Sequence, residues 1–219
     1  MARGEGNTIL TVIVAGVLAA AAIFGVRAAY DLSHERIAMN QRARLVARLN
    51  SVLDPALIDH DLTTTRLSFS DPELLGSPAP VDVFVLSDHG RPVATVFASI
   101  APHGYNAPID LLVGVGADSS VTGVRAVRHR ETPGLGDMID RAKSNWVEQF
   151  RGKNLAAPPR EAWQVKQDEG QFDSITGATV TSRAVVAAVK NALLYFEQHR
   201  GDIYRAAAEA AVSEHEPDR

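Results

Sequence analysis

VDVFVLSDHGRPVATVFAS, at residues 81–99, is the clearest indication of fold class in this chain. Two runs rich in β-branched residues flank the segment Asp88-His89-Gly90-Arg91-Pro92. Apolar runs around a segment that contains Gly and Pro are typical of a β-hairpin. The pattern therefore predicts two antiparallel strands joined by a turn longer than two residues.

Two more strands follow, and helices come after them. IDLLVGVG (109–116) and VTGVRAVRH (121–129) are predicted strands, joined by a polar turn at Asp118-Ser119-Ser120. Apolar residues at helical spacing predict a helix over 137–150, and a short strand is predicted over 163–167. Because the strands precede most of the helices, we expect an α+β domain on an antiparallel sheet and not a doubly wound parallel sheet.

The flanking segments have less definite patterns. Residues 31–53 are charged and helix-prone, and an apolar set at helical spacing predicts that this helix docks on the domain: Leu45, Val46, Leu49, Val52 and Leu53. Residues 54–80 are predicted to be a polar connection, and the polar stretch after Gly201 is predicted to be frayed. The expected organisation is 1–30 tip and anchor, 31–80 helix and connection, 81–200 main domain, and 201–219 tail.

The N-terminus contains an uncharged run, GNTILTVIVAGVLAAAAIFGV, at residues 6–26. As a helix it would be about 31 Å long, which matches the ~30 Å hydrocarbon core of a bilayer. A cleaved signal peptide is the alternative, with a weak cleavage pattern at Val26-Arg27-Ala28. The run exceeds the ~7–15 apolar residues usual in a signal peptide, which favours a retained single transmembrane helix.

Composition excludes several classes of function. The net charge of -4 gives no indication of a nucleic-acid partner. The chain has no cysteine, which excludes disulfides, thiolate catalysis and cysteine-ligated metal centres. Its seven histidines show no paired-ligand spacing, so no metal site is expected. The sequence indicates no catalytic residues.

The stretch DSITGATVTSRAVVAAVKNALLYF, residues 173–196, combines a hydroxyl-rich start with an apolar helix. From Val180 onward, apolar residues at 3.6-residue spacing predict one buried face. The first-turn N–H groups of a helix lack intrahelical partners and attract anions such as phosphate. From the residues alone, the hydroxyls either cap the helix or hold a ligand there. The stretch is not a P-loop, because Gly177 is not followed by Gly-Lys-Ser/Thr at the required spacing.

Residues 173–179, DSITGAT, resemble the flavinylation motif of the FMN-binding domain family: Asp, two variable positions, Ser or Thr, then Gly-Ala-Thr. The resemblance implies that the Thr179 hydroxyl is esterified to the 5′-phosphate of FMN by a flavin transferase that uses FAD and magnesium. It also implies a recognition loop made of the preceding residues: Asp173, Ser174, Thr176, Gly177 and Ala178. Any capping role then falls to Thr181 or Ser182.

A second stretch, HRETPGLG at residues 129–136, resembles the Glu-Thr-Pro-Gly-Leu-Gly loop of the same family, which lies close to the flavin. The resemblance implies contacts to FMN from five residues: Glu131, Thr132, Gly134, Leu135 and Gly136. Proline restricts the backbone, and glycine permits close approach to a flat ring. The alternative is a strand-to-helix turn with Asp137 as N-cap. One loop can serve both purposes.

Together with Gly104-Tyr105, the LLVGV strand and the N-terminal anchor, these motifs resemble the G-subunit family of the Rnf ion-translocating electron-transport complex. The C subunit of the sodium-pumping NADH:quinone reductase is the next most similar family. The resemblance implies a subunit that relays electrons in a ferredoxin:NAD oxidoreductase complex, without independent turnover. Its expected partners are other membrane subunits of the complex, the flavin transferase and the lipid bilayer.

The resemblance also implies an inner-membrane protein with its main domain in the periplasm. Counting positive residues gives the opposite orientation, since only Arg3 precedes the apolar run and four arginines follow it: Arg27, Arg36, Arg42 and Arg44. We follow the resemblance, because large domains translocate largely regardless of charge. Two other classes stay open: an anchored sensor or regulatory domain that binds FMN, and an anchored binding module in which the hydroxyls only cap a helix.

Overall fold

The computed structural model describes residues 45–53 and 62–214, with isolated residues before them (15, 16, 23–25, 27 and 30). The chain divides into two compact units, Met1–Ala47 and Arg48–Arg219. In the first unit the described residues are helical. Within the described part of the chain, no helix is long and apolar enough to cross a membrane. Most of the predicted span at 6–26 lies outside the described residues.

The second unit is built on a five-stranded antiparallel sheet. Its strands are β1 (Thr63–Asp71), β2 (Ser77–Asp88), β3 (Arg91–Ala101), β4 (Ile109–Gly116) and β5 (Val121–Arg128). They lie in the sheet in chain order, so each pairs with its sequence neighbours as in a meander. The predicted α+β fold with an antiparallel sheet is confirmed.

Strand β1 lies within the segment 54–80, where a polar connection was predicted, and that prediction is wrong. Among the described strands β1 pairs with β2 alone and forms one edge of the sheet, with Leu67 opposite Val83. Most of its side chains are exposed or half-buried, so the sequence TTTRLSFSD shows little apolar alternation. An edge strand of this kind has a weak sequence pattern because few of its side chains reach the core.

The turn between β2 and β3 is shorter than predicted. Asp88 pairs with Arg91, which leaves only His89 and Gly90 as the turn. Both have a positive φ, 47° and 78°. Two successive positive φ angles are typical of the type I′ turn, whose twist matches that of the flanking strands.

The segment between β5 and the last helix contains short 3₁₀ helices, where an α-helix and a strand were predicted. The predicted helix at 137–150 is two pieces, Gly136–Ile139 and Trp146–Phe150. Asp137 does not act as an N-cap. It is buried inside the first piece and forms an ion pair with Lys143.

The predicted strand at 163–167 does not form. A single parallel bridge joins Val165 to Phe172, and the 3₁₀ helices Arg160–Ala162 and Lys166–Asp168 flank it. The apolar residues here pack as an aromatic cluster instead. Trp163 lies 4.6 Å from Phe172 between ring centroids.

A single α-helix, Thr179–Glu214, ends the described chain; we call it the C-terminal helix. It continues through the segment after Gly201 that was predicted to fray, so that prediction is wrong as far as residue 214. Ile203 and Ala207 are buried there and hold the last turns against the domain. Residues 215–219 lie outside the described part of the chain.

The two faces of the sheet are covered by different elements. The C-terminal helix packs on one face, where Val83, Phe97 and Val113 meet Val189 and Phe196 in one apolar core.

Residues 48–53 cover the other face, and Leu49, Val52 and Leu53 pack there as predicted. Leu45 and Val46 of the same predicted apolar set are exposed. Gly114 and Gly123 are directly paired on β4 and β5, and a Cβ on either would come within 2.9 Å of Val52 backbone atoms. Thr122 completes this contact by donating its hydroxyl to the Val52 carbonyl at 2.5 Å.

Candidate functional site

A cleft of about 530 Å³ opens where the loop after β5 meets the start of the C-terminal helix. Three segments that are distant in sequence form its walls. The lining residues are Tyr105, Glu131, Thr132, Leu135, Gly136, Gly177, Ala178, Thr179, Val180 and Thr181. The two motifs singled out from the sequence thus meet at one cleft.

The loop 131–136 is folded by its own backbone and tied to the segment before β4. The Thr132 carbonyl accepts hydrogen bonds from the backbone N–H groups of Leu135, at 3.1 Å, and Asp137, at 3.4 Å. The Thr132 hydroxyl accepts one from the Asn106 side chain at 3.3 Å. Leu135 is left 43% exposed at the cleft, although it is a large apolar residue.

Two glycines bring this loop against the helix start. A Cβ on Gly136 would lie 2.8 Å from Glu131 Oε2 and 3.0 Å from Thr181 Oγ1. Gly177 has a φ of +80°, and its Cβ would lie 3.0 Å from Leu135. Glycine permits both contacts because it has no Cβ and tolerates positive φ.

The C-terminal helix begins at Thr179, which is half-buried and lines the cleft. The first-turn N–H groups lack intrahelical partners, and the helix dipole adds about half a positive charge at this end. This end of the cleft therefore favours an anion.

Thr181 and Ser182 are both buried, and their hydroxyls hold the helix start to neighbouring loops instead of capping it. Thr181 donates to the Glu131 carboxylate. The Ser182 hydroxyl accepts from the Ile175 N–H at 2.9 Å and donates to the Ala178 carbonyl at 3.0 Å. Neither hydroxyl has the predicted capping role: Thr181 makes a tertiary contact, and Ser182 ties the helix start to the residues just before it.

The recognition loop 173–178 is fixed at its first residue. The Asp173 carbonyl accepts from Trp146 Nε1 at 2.8 Å, and the Gln149 side-chain amide binds both the N–H and the carbonyl of Asp173. The Asp173 carboxylate is exposed and pairs with Lys166 at 2.6 Å. The loop thus presents an ordered outer surface beside the cleft.

Seven of the site residues predicted from sequence line the cleft: Glu131, Thr132, Leu135, Gly136, Gly177, Ala178 and Thr179. The other four do not line it. Asp173, Gly134 and Thr176 are exposed, and Ser174 is half-buried and hydrogen-bonded to Gln167.

Sequence reasoning missed three lining residues. Tyr105 was noticed only as part of a Gly-Tyr pair, and Thr181 only as a cap. Val180 was assigned to the buried face of the helix, but it is 45% exposed and faces the cleft. Val180 lies in the first turn, and the first buried apolar residue after it on the helix is Ala184.

One carboxylate near the cleft has a shifted pKa. The hydrogen bond from Lys143 holds the pKa of Asp137 below its ordinary value. Among the described residues, no group of three or more acidic or histidine side chains is placed to hold a metal ion.

Comparison with known proteins agrees with this arrangement. The FMN-binding domain family matches residues 104–194, a range that contains both motifs and every residue lining the cleft.

Three relatives are each named as the G subunit of an ion-translocating oxidoreductase complex. The protein of Shewanella baltica is 42% identical over 78% of this chain and 80% of its own length. The Vibrio cholerae protein is 41% identical over 80% of this chain and 83% of its own length. The Pseudomonas aeruginosa protein is 45% identical over 78% of this chain and 79% of its own length. The chain therefore belongs to the G-subunit family of ion-translocating oxidoreductase (Rnf) complexes, and it carries that family's FMN-binding domain.

Proposed function

We propose that this chain is an electron-relaying flavoprotein subunit of an ion-translocating oxidoreductase complex, with FMN bound covalently through a phosphoester at Thr179. The observation that carries the proposal is the convergence of the two motifs on one cleft, with Thr179 in its wall at a helix N-terminus. The names of the relatives support membership of such a complex.

The residues present fit FMN. The cleft volume lies within the ~300–1,000 Å³ usual for small-molecule sites. Tyr105, Leu135 and Val180 are large apolar or aromatic side chains left exposed at the cleft, and a flat aromatic ring would cover them. The first-turn N–H groups of the C-terminal helix are suited to a phosphate.

Each part of the site then has a definite role. The Thr179 hydroxyl is the attachment atom, and the helix start stabilises the charge of the phosphodiester. Gly136 and Gly177 let the two motifs approach closely, and the apolar side chains exclude water from the ring. The exposed residues Asp173 and Thr176 are available to the transferase. Bound FMN would supply the chemistry by accepting and donating electrons.

The attachment reaction balances with FAD as donor. The Thr179 oxygen forms a bond to the FMN phosphorus, the pyrophosphate bond of FAD breaks, and AMP leaves while the hydroxyl proton is lost. A covalent link keeps the cofactor on a domain outside the cytoplasm. We place the domain in the periplasm, anchored in the inner membrane by residues 6–26, with other membrane subunits as electron donor and acceptor.

Intact mass and in-gel flavin fluorescence test the attachment. The full chain is expressed with and without an active flavin transferase, as wild type and as three variants: Thr179→Val, Thr179→Ser and Thr64→Val, the last at an exposed threonine of β1 that does not line the cleft. We expect wild type and Thr64→Val to gain the mass of FMN less one water only with the transferase. Thr179→Val should gain nothing, because it has the shape of threonine without the hydroxyl, whereas Thr179→Ser keeps an acceptor oxygen. An unmodified wild-type chain beside active transferase contradicts the proposal.

The absence of cysteine makes topology directly testable. A single cysteine replacing exposed Ser213 is labelled in cells with a permeabilised outer membrane, by a maleimide that cannot cross the inner membrane. Labelling before lysis supports a periplasmic domain, and labelling only after lysis contradicts it. Co-purification with other redox subunits from native membranes tests membership of a complex. Recovery of a lone protein or a signalling partner favours the sensor alternative.

A further inference from the structure

Glu131 is a buried carboxylate in the wall of the cleft. It is 5% exposed and is the only one of the lining residues with a charged side chain. Within residues 62–214 no cationic side chain forms an ion pair with it, and its hydrogen-bond donors are neutral. The Asn106 backbone N–H donates to Oε1 at 3.2 Å, and the Thr181 hydroxyl donates to Oε2.

The position of this carboxylate is closely fixed. A Cβ on Gly104 would lie 3.1 Å from Oε1, and a Cβ on Gly136 would lie 2.8 Å from Oε2, so both oxygens are enclosed by backbone. The two hydrogen bonds join all three segments of the cleft: the loop before β4, the loop 131–136 and the helix start. The carboxyl group therefore cannot swing away to solvent as a surface glutamate does.

We propose that Glu131 sets the reduction potential of the flavin in this cleft, by holding a fixed negative charge in its wall; this rests on the proposed function. A charge enclosed by protein acts through a lower effective dielectric than water, so it is weakly screened. FMN bound in the cleft would become more negative on accepting electrons. The negative charge of the Glu131 carboxylate would make that reduction less favourable. Glu131 thus lowers the midpoint potential, while its hydrogen bonds position it.

The competing explanation is that Glu131 only holds the three segments of the cleft together through its hydrogen bonds. A variant that removes the charge and a variant that removes a hydrogen bond distinguish the two roles. Glu131→Gln keeps the size of the side chain and removes the charge. Thr181→Val keeps the charge and removes one of the two hydrogen bonds. Glu197→Gln removes an equal charge from the outer surface of the C-terminal helix, roughly 27 Å from Thr179 at ~1.5 Å per residue.

The experiment is a potentiometric titration of the full flavinylated chain in detergent, with dithionite as reductant and ferricyanide as oxidant. Intact mass reports the flavin attached to each variant, and circular dichroism reports the fold. We expect E131Q to have a more positive midpoint than wild type and E197Q to match wild type. T181V should shift less than E131Q. Glu131→Asp keeps the charge and should retain a midpoint below that of E131Q.

Three results overturn the inference. The first is a folded, flavinylated E131Q with the wild-type midpoint. The second is an equal shift in E131Q and T181V, because that result assigns the effect to structure. The third is a Glu131→Asp midpoint that matches that of folded E131Q. If E131Q is poorly folded, Glu131→Met, which is also uncharged and of similar length, takes its place in all three comparisons. A wild-type chain without attached flavin overturns the proposed function and this inference together, so the two failures are distinguishable by mass alone.

Discussion

Ser182→Ala should destabilise the domain measurably, although the side chain lies inside a helix. Ser182 is fully buried, and its hydroxyl is the acceptor for the Ile175 N–H at 2.9 Å. Removal of the hydroxyl leaves that N–H without a partner in a buried position. The Ala178 carbonyl is less affected, because it also accepts from the Ser182 backbone N–H at 3.0 Å.

The magnitude follows from these contacts. A buried unpaired N–H costs about 1–3 kcal/mol. Alanine recovers roughly 0.5 kcal/mol through its higher helix propensity. The expected net loss in the free energy of unfolding is about 0.5–2.5 kcal/mol. For a protein of this size that corresponds to a fall in Tm of about 1–10 °C.

The assay is thermal and urea unfolding of the full chain in detergent, followed by circular dichroism. Ser213→Ala is the matched control, because Ser213 is an exposed serine on the same helix that donates to the Ala210 carbonyl. Its effect should stay within about 0.5 kcal/mol, as for most surface substitutions. If Ser182→Ala loses no more stability than Ser213→Ala, the Ser182 hydroxyl does not stabilise the domain through the Ile175 N–H.

Three further predictions follow from the geometry. Gly136→Ala should destabilise by about 1–3 kcal/mol in urea unfolding, because its Cβ would overlap the Glu131 side chain at 2.8–2.9 Å. Gly201→Ala should instead stabilise by up to about 1 kcal/mol, since nothing lies within 4 Å of its Cβ and alanine favours helix. Lys143→Met should lower Tm at pH 7, because Lys143 depresses the pKa of Asp137 and that stability exists only while the carboxylate is charged. The difference from wild type should shrink as the pH falls below about 3.9, the unfolded pKa, and a constant difference down to pH 2 would contradict this.

Hydrophobic periodicity in the sequence predicted the strands and the helix that bury many apolar side chains. The hairpin around His89-Gly90 was predicted because its strands are apolar and buried on both faces of the sheet. The C-terminal helix was predicted because, from Ala184 onward, it buries one apolar face. β1 was missed because an edge strand contributes few buried side chains. The last turns of the helix were missed because only Ile203 and Ala207 are buried there, too few to form a visible stripe.

The two motifs lie at one cleft, but the sequence did not predict every residue that lines it. Motif spacing identified both loops, but no pattern in the sequence shows that Glu131 and Thr181, fifty residues apart, share a hydrogen bond. The 3₁₀ pieces at 136–150 have helix-like apolar spacing, yet their path is set by ties to other segments, such as that from Trp146 to Asp173. Such long-range ties decide which motif residues face the cleft and which face outward.

The order of the elements has a consequence for biosynthesis. A meander can pair strand by strand as the chain emerges, because each strand meets its sequence neighbour. The cleft differs, since one wall comes from 131–136 and the other from the last helix of the described chain. During synthesis all five strands are made before the second wall of the cleft, which follows them in the chain. Any ligand that needs both walls can therefore bind only after the start of the C-terminal helix has been made.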